Sequence, residues 1–323
     1  MTDHFKKISI DIIYFIVALI NIIVIFYFIQ SDFNQVERGQ SELIDRFIQW
    51  LRSSAILFLC LINAVLFLMV INQKKFVRSL RFNSGFFEDL FLFCMGAMPI
   101  LAKYWIIIGS LGLSIFFSDF VFFNYSFKFE KINIFYFIPI AVVTILSISV
   151  IGYFSHRLMH KSIIWPLHRI HHESKSFNIL TKFRFNPFEL IIIIPIGFFF
   201  FLNLDGFLVV KLYYSWRLFH EIVIHSHYPW RFTSFLRFII VSANDHRNHQ
   251  SRDIQLLGGQ NFSVDFIFWD RLFGTYKISQ SNFFPIGINN FSKSGRSILF
   301  CLIYDLWDFL IRLLRWIFVK TLK

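Results

Sequence analysis

The chain has 323 residues, of which 56% are hydrophobic and only 16% charged, with 47 phenylalanines and a mean hydropathy of +0.59. These values exclude an ordinary soluble domain, whose core does not hide apolar runs of about twenty residues such as 8–29 and 55–71. The formal charge of +12 would suggest nucleic acid in a soluble protein. Here the charges alternate from loop to loop as a membrane topology requires, and no nucleic-acid partner is expected.

In chain order, Lys6 and Lys7 precede a first apolar run that is long and lacks a small-residue cleavage site, so it reads as a retained helix. Residues 31–53 hold four acids and three bases, whereas 73–86 hold Lys74, Lys75, Arg78 and Arg81 without an acid. The basic loop is expected in the cytoplasm, together with the N-terminus, and the charge-balanced segment 118–133 outside. Residues 90–117, containing Pro99 and Lys103, read as one long tilted or kinked helix.

A fourth helix over 135–156 returns the chain to a stretch, 156–184, with six bases against Glu173 alone. The apolar block 190–214 is broken at 203–206 and bent by Pro195 and Gly197, which suggests a hairpin that dips into the bilayer and returns. Phe232, Phe235, Leu236, Ile239 and Ile240 repeat at helical spacing, as expected of a helix lying in the interface. In 298–319, Asp305, Asp308, Arg312 and Arg315 share one helical face, again favouring a membrane-surface helix. Cys60, Cys94 and Cys301 stand alone, without disulfide or zinc-ribbon spacing.

The expected fold is an all-α integral membrane protein. It has about four transmembrane helices plus a helical hairpin, a histidine-rich helical cap on the cytoplasmic face, and interfacial helices. Its regions are an N-terminal transmembrane part (1–134), a histidine-box catalytic part (135–277) and a C-terminal interfacial helix (278–323).

Ten of the eleven histidines lie between His156 and His249. His156 and His160 are four apart, and His168, His171 and His172 sit at positions zero, three and four, so on a helix each set projects from one side. Imidazole suits iron, zinc, copper or nickel, and neither a thiolate cluster nor an EF-hand loop accompanies these residues. The supply exceeds the three or four ligands of one zinc and points to two metals. A satisfied polar residue at a membrane interface is the bland reading; it suits His4, is weak for the first two clusters, and is even for His220 and His227.

The order H-x3-H (His156, His160), H-x2-HH (His168, His171, His172), HSH (His225, His227), a final box at His246 to His249, and the trailing WDRLFGTY at 269–276 resembles the fatty acid hydroxylase and sterol desaturase superfamily over roughly 135–277. The resemblance implies a histidine-bound di-iron centre that activates O2 to hydroxylate or desaturate a lipid such as a fatty acyl chain or a sterol. His156, His160, His168, His171, His172, His225, His246 and His249 inherit the ligand role, with His220 and His227 as further metal candidates. Gln250 stands where the last box commonly ends in histidine. Three outcomes follow: His220 or His227 completes the shell, a water held by Gln250 does, or one of the two irons is lost. Gln250, Asp245 and Asp270 are thus doubtful ligands or supporting residues, as is Glu221, since a carboxylate that accepts the far N–H of a ligating imidazole fixes its tautomer.

No flavin, nicotinamide, haem-attachment or ferredoxin fingerprint is present, so a separate electron donor of cytochrome b5, ferredoxin or reductase type is expected. The Phe, Ile and Lys bias suits an AT-rich bacterial genome, and the inner membrane is the expected location. Two other classes stand as alternatives: a catalytically silent relative that binds lipid or a partner, motivated by Gln250, and a zinc membrane hydrolase. The hydrolase is disfavoured because neither His172-Glu173 nor His220-Glu221 continues into an HExxH motif.

Overall fold

The computed structural model describes residues 2–33, 59–69, 84–97, 134–189, 208–233, 235–252, 259–278, 285–288 and 298–321. Among them the regular elements are helices: α1 (Thr2–Phe33), α2 (Leu59–Met69), α3 (Ser84–Ala97), α4 (Ile134–Met159), α5 (Trp165–His172), α6 (Leu208–Ile224), α7 (Ala243–His249), α8 (Phe268–Leu272) and α9 (Ile298–Thr321). Short 3-10 turns cover Thr181–Phe183 and Phe235–Phe238. Two isolated bridges, Ile240 with Phe266 and Ser251 with Ile286, are antiparallel.

The first apolar run forms one continuous helix, α1, whose composition is arranged inside out. Ile12, Phe15, Ile16, Leu19, Ile20 and Ile23 are exposed along one stripe, while Asp11, Tyr14 and Asn21 are buried on the other. The same inversion marks α4, which exposes Phe135, Ile138, Val142, Val143 and Leu146 and buries Thr144, Ser149, Ser155 and His156. Residues Ala141–Met159 of α4 are long and apolar enough to cross a membrane.

The buried polar groups of α1 are all engaged. Asn63 donates to Asn21 Oδ1 at 2.9 Å, and the Asp11 carboxylate accepts from the Thr233 backbone N–H at 3.2 Å. Around them, Tyr14 meets Phe67, Phe219, Trp230 and Phe232 at ring separations of 5.0–5.9 Å. Each such aromatic pair adds roughly 0.5–1.5 kcal/mol to the burial of its area. This core clamps α1 and α2 onto α6.

On the far side, α9 packs on α5. Arg169 Nε donates to Asp305 at 2.6 Å and Nη1 to Asp308 at 3.0 Å, and Asp308 also pairs with Arg312 at 2.9 Å. Asp305 and Asp308 of the charged face expected of the C-terminal helix therefore hold α5, and Ile303, Trp307, Leu314 and Phe318 face outward.

The stretch 232–240 is not the helix its spacing suggests. Its backbone is committed elsewhere: Ile267 donates to Ile239 O at 2.9 Å, Val241 to Asp265 O at 2.9 Å, and only the four residues Phe235–Phe238 coil. Residues 98–117 of the 90–117 run and the break at 203–206 lie outside the described residues.

Candidate metal centre

Four short helical ends deliver the histidines. His156 sits in the last turn of α4, and His160 follows one turn later as the chain leaves the helix. The chain then turns tightly, Trp165 donating to Lys161 O at 2.8 Å, and re-enters a helix at Pro166, where a missing N–H costs nothing. α5 carries His168, His171 and His172. His225 follows the end of α6, and α7 begins on a capping box between Ser242 and Asp245 and carries His246 and His249.

The imidazoles converge as two groups. His156, His160, His168, His172 and His249 form the first, and His171, His225 and His246 the second, with the candidate ligand atoms of each group within 4.8 Å of one another. Helical register makes the division. His168 and His172, four apart, look the same way, whereas His171 is rotated from both and joins the second group.

The ring nitrogens are oriented from behind. His156 Nδ1 donates to Phe262 O at 2.6 Å, His249 Nδ1 to Gln260 O at 2.8 Å, His168 Nδ1 to Glu189 Oε1 at 3.1 Å, His171 Nδ1 to Arg184 O at 3.1 Å, and His225 Nδ1 to Glu221 O at 2.6 Å. Because those oxygens only accept, each of these five rings carries its proton on Nδ1 and presents a bare Nε2. His225 Nε2 then lies 3.3 Å from His171 Nε2 and 2.9 Å from His246 Nε2, and His172 Nε2 lies 3.2 Å from His168 Nε2.

His171 and His225 thus set two lone pairs against each other at 3.3 Å, which repel unless a cation lies between them, whereas His246 and His172, with no partner at Nδ1 among the described residues, are free to carry the proton on Nε2. A proton is a poor candidate, since burial holds His171, His172 and His246 well below the usual imidazole range, His225 down to about 4 and His249 to about 3. His249 Nε2 and both ring nitrogens of His160 are buried with no hydrogen-bond partner among the described residues. The donor set fits metal cations taken by neutral nitrogen ligands.

The loop 259–267 supplies two of the supporting oxygens from the residues either side of Asn261, which has φ 49°. That left-handed turn is tolerated by asparagine because its amide bonds locally: Nδ2 donates to Asp245 O at 3.2 Å and Lys277 O at 3.0 Å, and Oδ1 accepts from Lys277 N at 2.8 Å. Asp270 fixes the same loop, accepting from Phe262 N at 2.7 Å, Ser263 N at 2.9 Å and Thr275 Oγ1 at 2.7 Å. Its carboxylate therefore supports His156 one step removed, through the Phe262 carbonyl.

A cavity of about 430 Å³ borders both groups, at His156 and His168 of the first and His171, His225 and His246 of the second. Ile148, Ile151, Met159, Leu218 and Val264 give it apolar walls, and Lys182, Glu189, Arg217 and Glu221 also line it.

Of the ten histidines singled out by sequence, eight enter the two groups and two stand apart. His220 has its Nδ1 2.7 Å from the Tyr14 hydroxyl and stacks on Trp216 at 5.3 Å and 11°. His227 lies beside Arg247, which donates to its carbonyl at 3.4 Å. Gln250 caps α7, fully buried, with Nε2 unpartnered among the described residues. Asp245 serves the α7 cap, and Glu221 meets His225 through its carbonyl while its carboxylate binds Arg217 and Lys182. Glu189, the one carboxylate among the described residues that holds a clustered imidazole directly, escaped sequence reasoning because it lies outside every box; a lone acid on the edge of an apolar block was its only signal.

Residues 141–275 match the fatty acid hydroxylase family. Among curated proteins, the chain is 30% identical over 164 residues to methylsterol monooxygenase 1 of Rattus norvegicus, covering 48% of this chain and 52% of that protein. It is 26% identical over 129 residues to human alkylglycerol monooxygenase, covering 39% of this chain and 28% of that protein. The chain thus spans about half or less of the length of these relatives. No solved structure matches it. The matched region carries both histidine groups, in keeping with the resemblance of their order to the fatty acid hydroxylase and sterol desaturase superfamily.

Proposed function

We propose that the chain is a membrane-embedded di-iron monooxygenase that uses O2 to oxidise a C–H bond of a lipid. The observation that carries this reading is the pair of imidazole groups whose candidate ligand atoms converge while backbone carbonyls and Glu189 hold the Nδ1 protons of five of the eight rings. Iron held there would supply the oxygen-activating redox chemistry that side chains and zinc lack. His156, His160, His168, His172 and His249 would bind one ion and His171, His225 and His246 the other. Three imidazoles leave open positions at the second ion, so Gln250 need not be a ligand for it to bind.

The remaining residues position the substrate and exclude water. Ile148, Ile151, Met159, Leu218 and Val264 would hold an apolar segment against the histidine end of the cavity. The exposed aliphatic stripes of α1 and α4, with polar groups turned inward, suit a surround of lipid rather than water. An acyl chain or ring system would reach the cavity from the bilayer. Electrons would come from a separate donor protein at the basic, cytoplasmic face, and a bacterial inner membrane is the proposed location.

The relatives' names, a methylsterol and an alkylglycerol monooxygenase, support a lipid substrate and an oxygenase reaction. The test is reductant-dependent O2 uptake by the iron-loaded protein in lipid nanodiscs, followed by mass spectrometry of the lipids. A gain of 16 mass units on one lipid class, or of −2 for desaturation, absent in His171→Ala, is the expected result (roughly one oxygen inserted or two hydrogens removed per turnover). Unchanged lipids with an intact iron content would favour a binding relative.

A further inference from the structure

The cavity has a second chemical character away from the histidines. Arg217 and Glu221 on α6 and His225 just past its end follow one another at four-residue spacing, and on α4 Gly152 precedes His156 by the same interval. Each interval is one turn, about 6 Å of rise, so the Arg217 and Gly152 end lies one to two turns from the imidazoles. Arg217 Nε donates to Glu221 Oε1 at 2.6 Å, and Lys182 pairs with the other Glu221 oxygen.

The Arg217 guanidinium approaches α4 across Gly152. A Cβ there would lie 2.9 Å from Arg217 Nη1 and 3.3 Å from Nη2, so the absence of a side chain admits the group to the cavity wall. Nη1 and Nη2 make no hydrogen bond among the described residues; Asp265, held by Ser149 and Tyr213, stands behind at 3.8 Å. Donors that line a cavity without partners must be met by water or by a ligand.

We propose that Arg217, Lys182 and Glu221 bind the neutral hydroxyl group of a lipid alcohol, fixing which carbon of its apolar body reaches the histidines. The charges choose among head groups. Arg217 and Lys182 are matched by Glu221 and Glu189 on the cavity lining, with the Asp265 carboxylate behind. An incoming carboxylate or phosphate meets no surplus of positive charge and faces Glu221 directly. A hydroxyl accepts from Arg217 or Lys182 and donates to Glu221, satisfying both signs. A bare hydrocarbon leaves the guanidinium donors dry and unpaired.

This rests on the lipid-oxidising reading but is tested by binding alone. Equilibrium binding of radiolabelled 1-dodecanol, dodecanoate and dodecane is measured on the full chain in detergent at pH 7.5, with iron content determined on the same samples. Wild type is expected to bind the alcohol about tenfold tighter than either other probe, the size of one charge-assisted hydrogen bond. Gly152→Ala, which displaces the guanidinium without removing it, and Arg217→Leu should each remove that preference while leaving dodecane affinity within about twofold. Retained dodecane binding shows that the cavity has folded. Tighter binding of dodecanoate than of dodecanol, or an alcohol preference that survives both substitutions, overturns the proposal. Alcohol preference in a chain that takes up no iron would uphold this site and sink the oxygenase reading; iron without the preference would do the reverse.

Discussion

His171 and His225 face each other through bare Nε2 atoms 3.3 Å apart, each with its Nδ1 proton already given to a backbone carbonyl. Neither ring can donate to the other without breaking its own support. The pair is therefore incomplete as a hydrogen bond, and in the proposed metal centre it supplies two of the three imidazoles of the second group, His246 Nε2 lying 2.9 Å from His225 Nε2.

Removing His171 should empty one position and leave the other. His171→Ala is expected to retain about one iron per chain, because none of His156, His160, His168, His172 and His249 is lost. Elemental analysis of the purified variant checks this; full retention of both ions would place His171 outside the shell.

Glu189 orients His168 from 3.1 Å. Glu189→Gln keeps the shape and removes the charge, so metal should leave to a chelator with an affinity weakened roughly 10–100-fold while the fold survives. The release rate with a colorimetric chelator, compared with wild type, gives the answer.

Asn261 offers a test of the loop rather than the ligands. Asn261→Ala and Asn261→Gly both discard the three side-chain hydrogen bonds, but only glycine adopts φ 49° without strain, so the difference between them isolates the backbone. The alanine variant should be the less stable of the two by about 1 kcal/mol, with a correspondingly lower thermal midpoint in detergent. Equal midpoints would mean that the turn carries no backbone strain.

Acid should unfold the metal-free protein before it unfolds comparable chains. In the unfolded state histidine titrates near 6.5, whereas burial holds folded His225 at about 4 and His249 at about 3. The unfolded state therefore binds more protons below pH 6.5, and each such residue removes about 1.4 kcal/mol of stability per pH unit on the way down to its folded value. Thermal midpoints of the metal-free chain should be flat above pH 7 and fall between pH 6.5 and 5; a flat profile across that window would argue against buried neutral rings.

The histidine boxes were legible because their spacing is that of a helix: His168 and His172 were bound to share a face, and α5 delivers them together. What spacing could not give was the partition into two groups, which depends on four helix ends meeting in space, nor the acceptors behind the rings. Four of those five acceptors are backbone carbonyls, which any residue provides, and the fifth, Glu189, sits outside every motif. His220 was legible as a histidine but not as the neighbour of Tyr14, a residue 206 positions away. The apolar periodicity of 232–240 misled for a related reason: its backbone pairs with 265–267, a long-range commitment that local pattern does not encode.

The most direct measurement is the iron content of the wild-type chain, purified in mild detergent after iron-replete expression, with Gln250→His prepared alongside. Two irons per chain in both proteins are expected (about 2, from five and three converging imidazoles). One iron or none in the wild type, with a second recovered in Gln250→His, would contradict the di-iron centre and mark Gln250 as the residue that dismantled it.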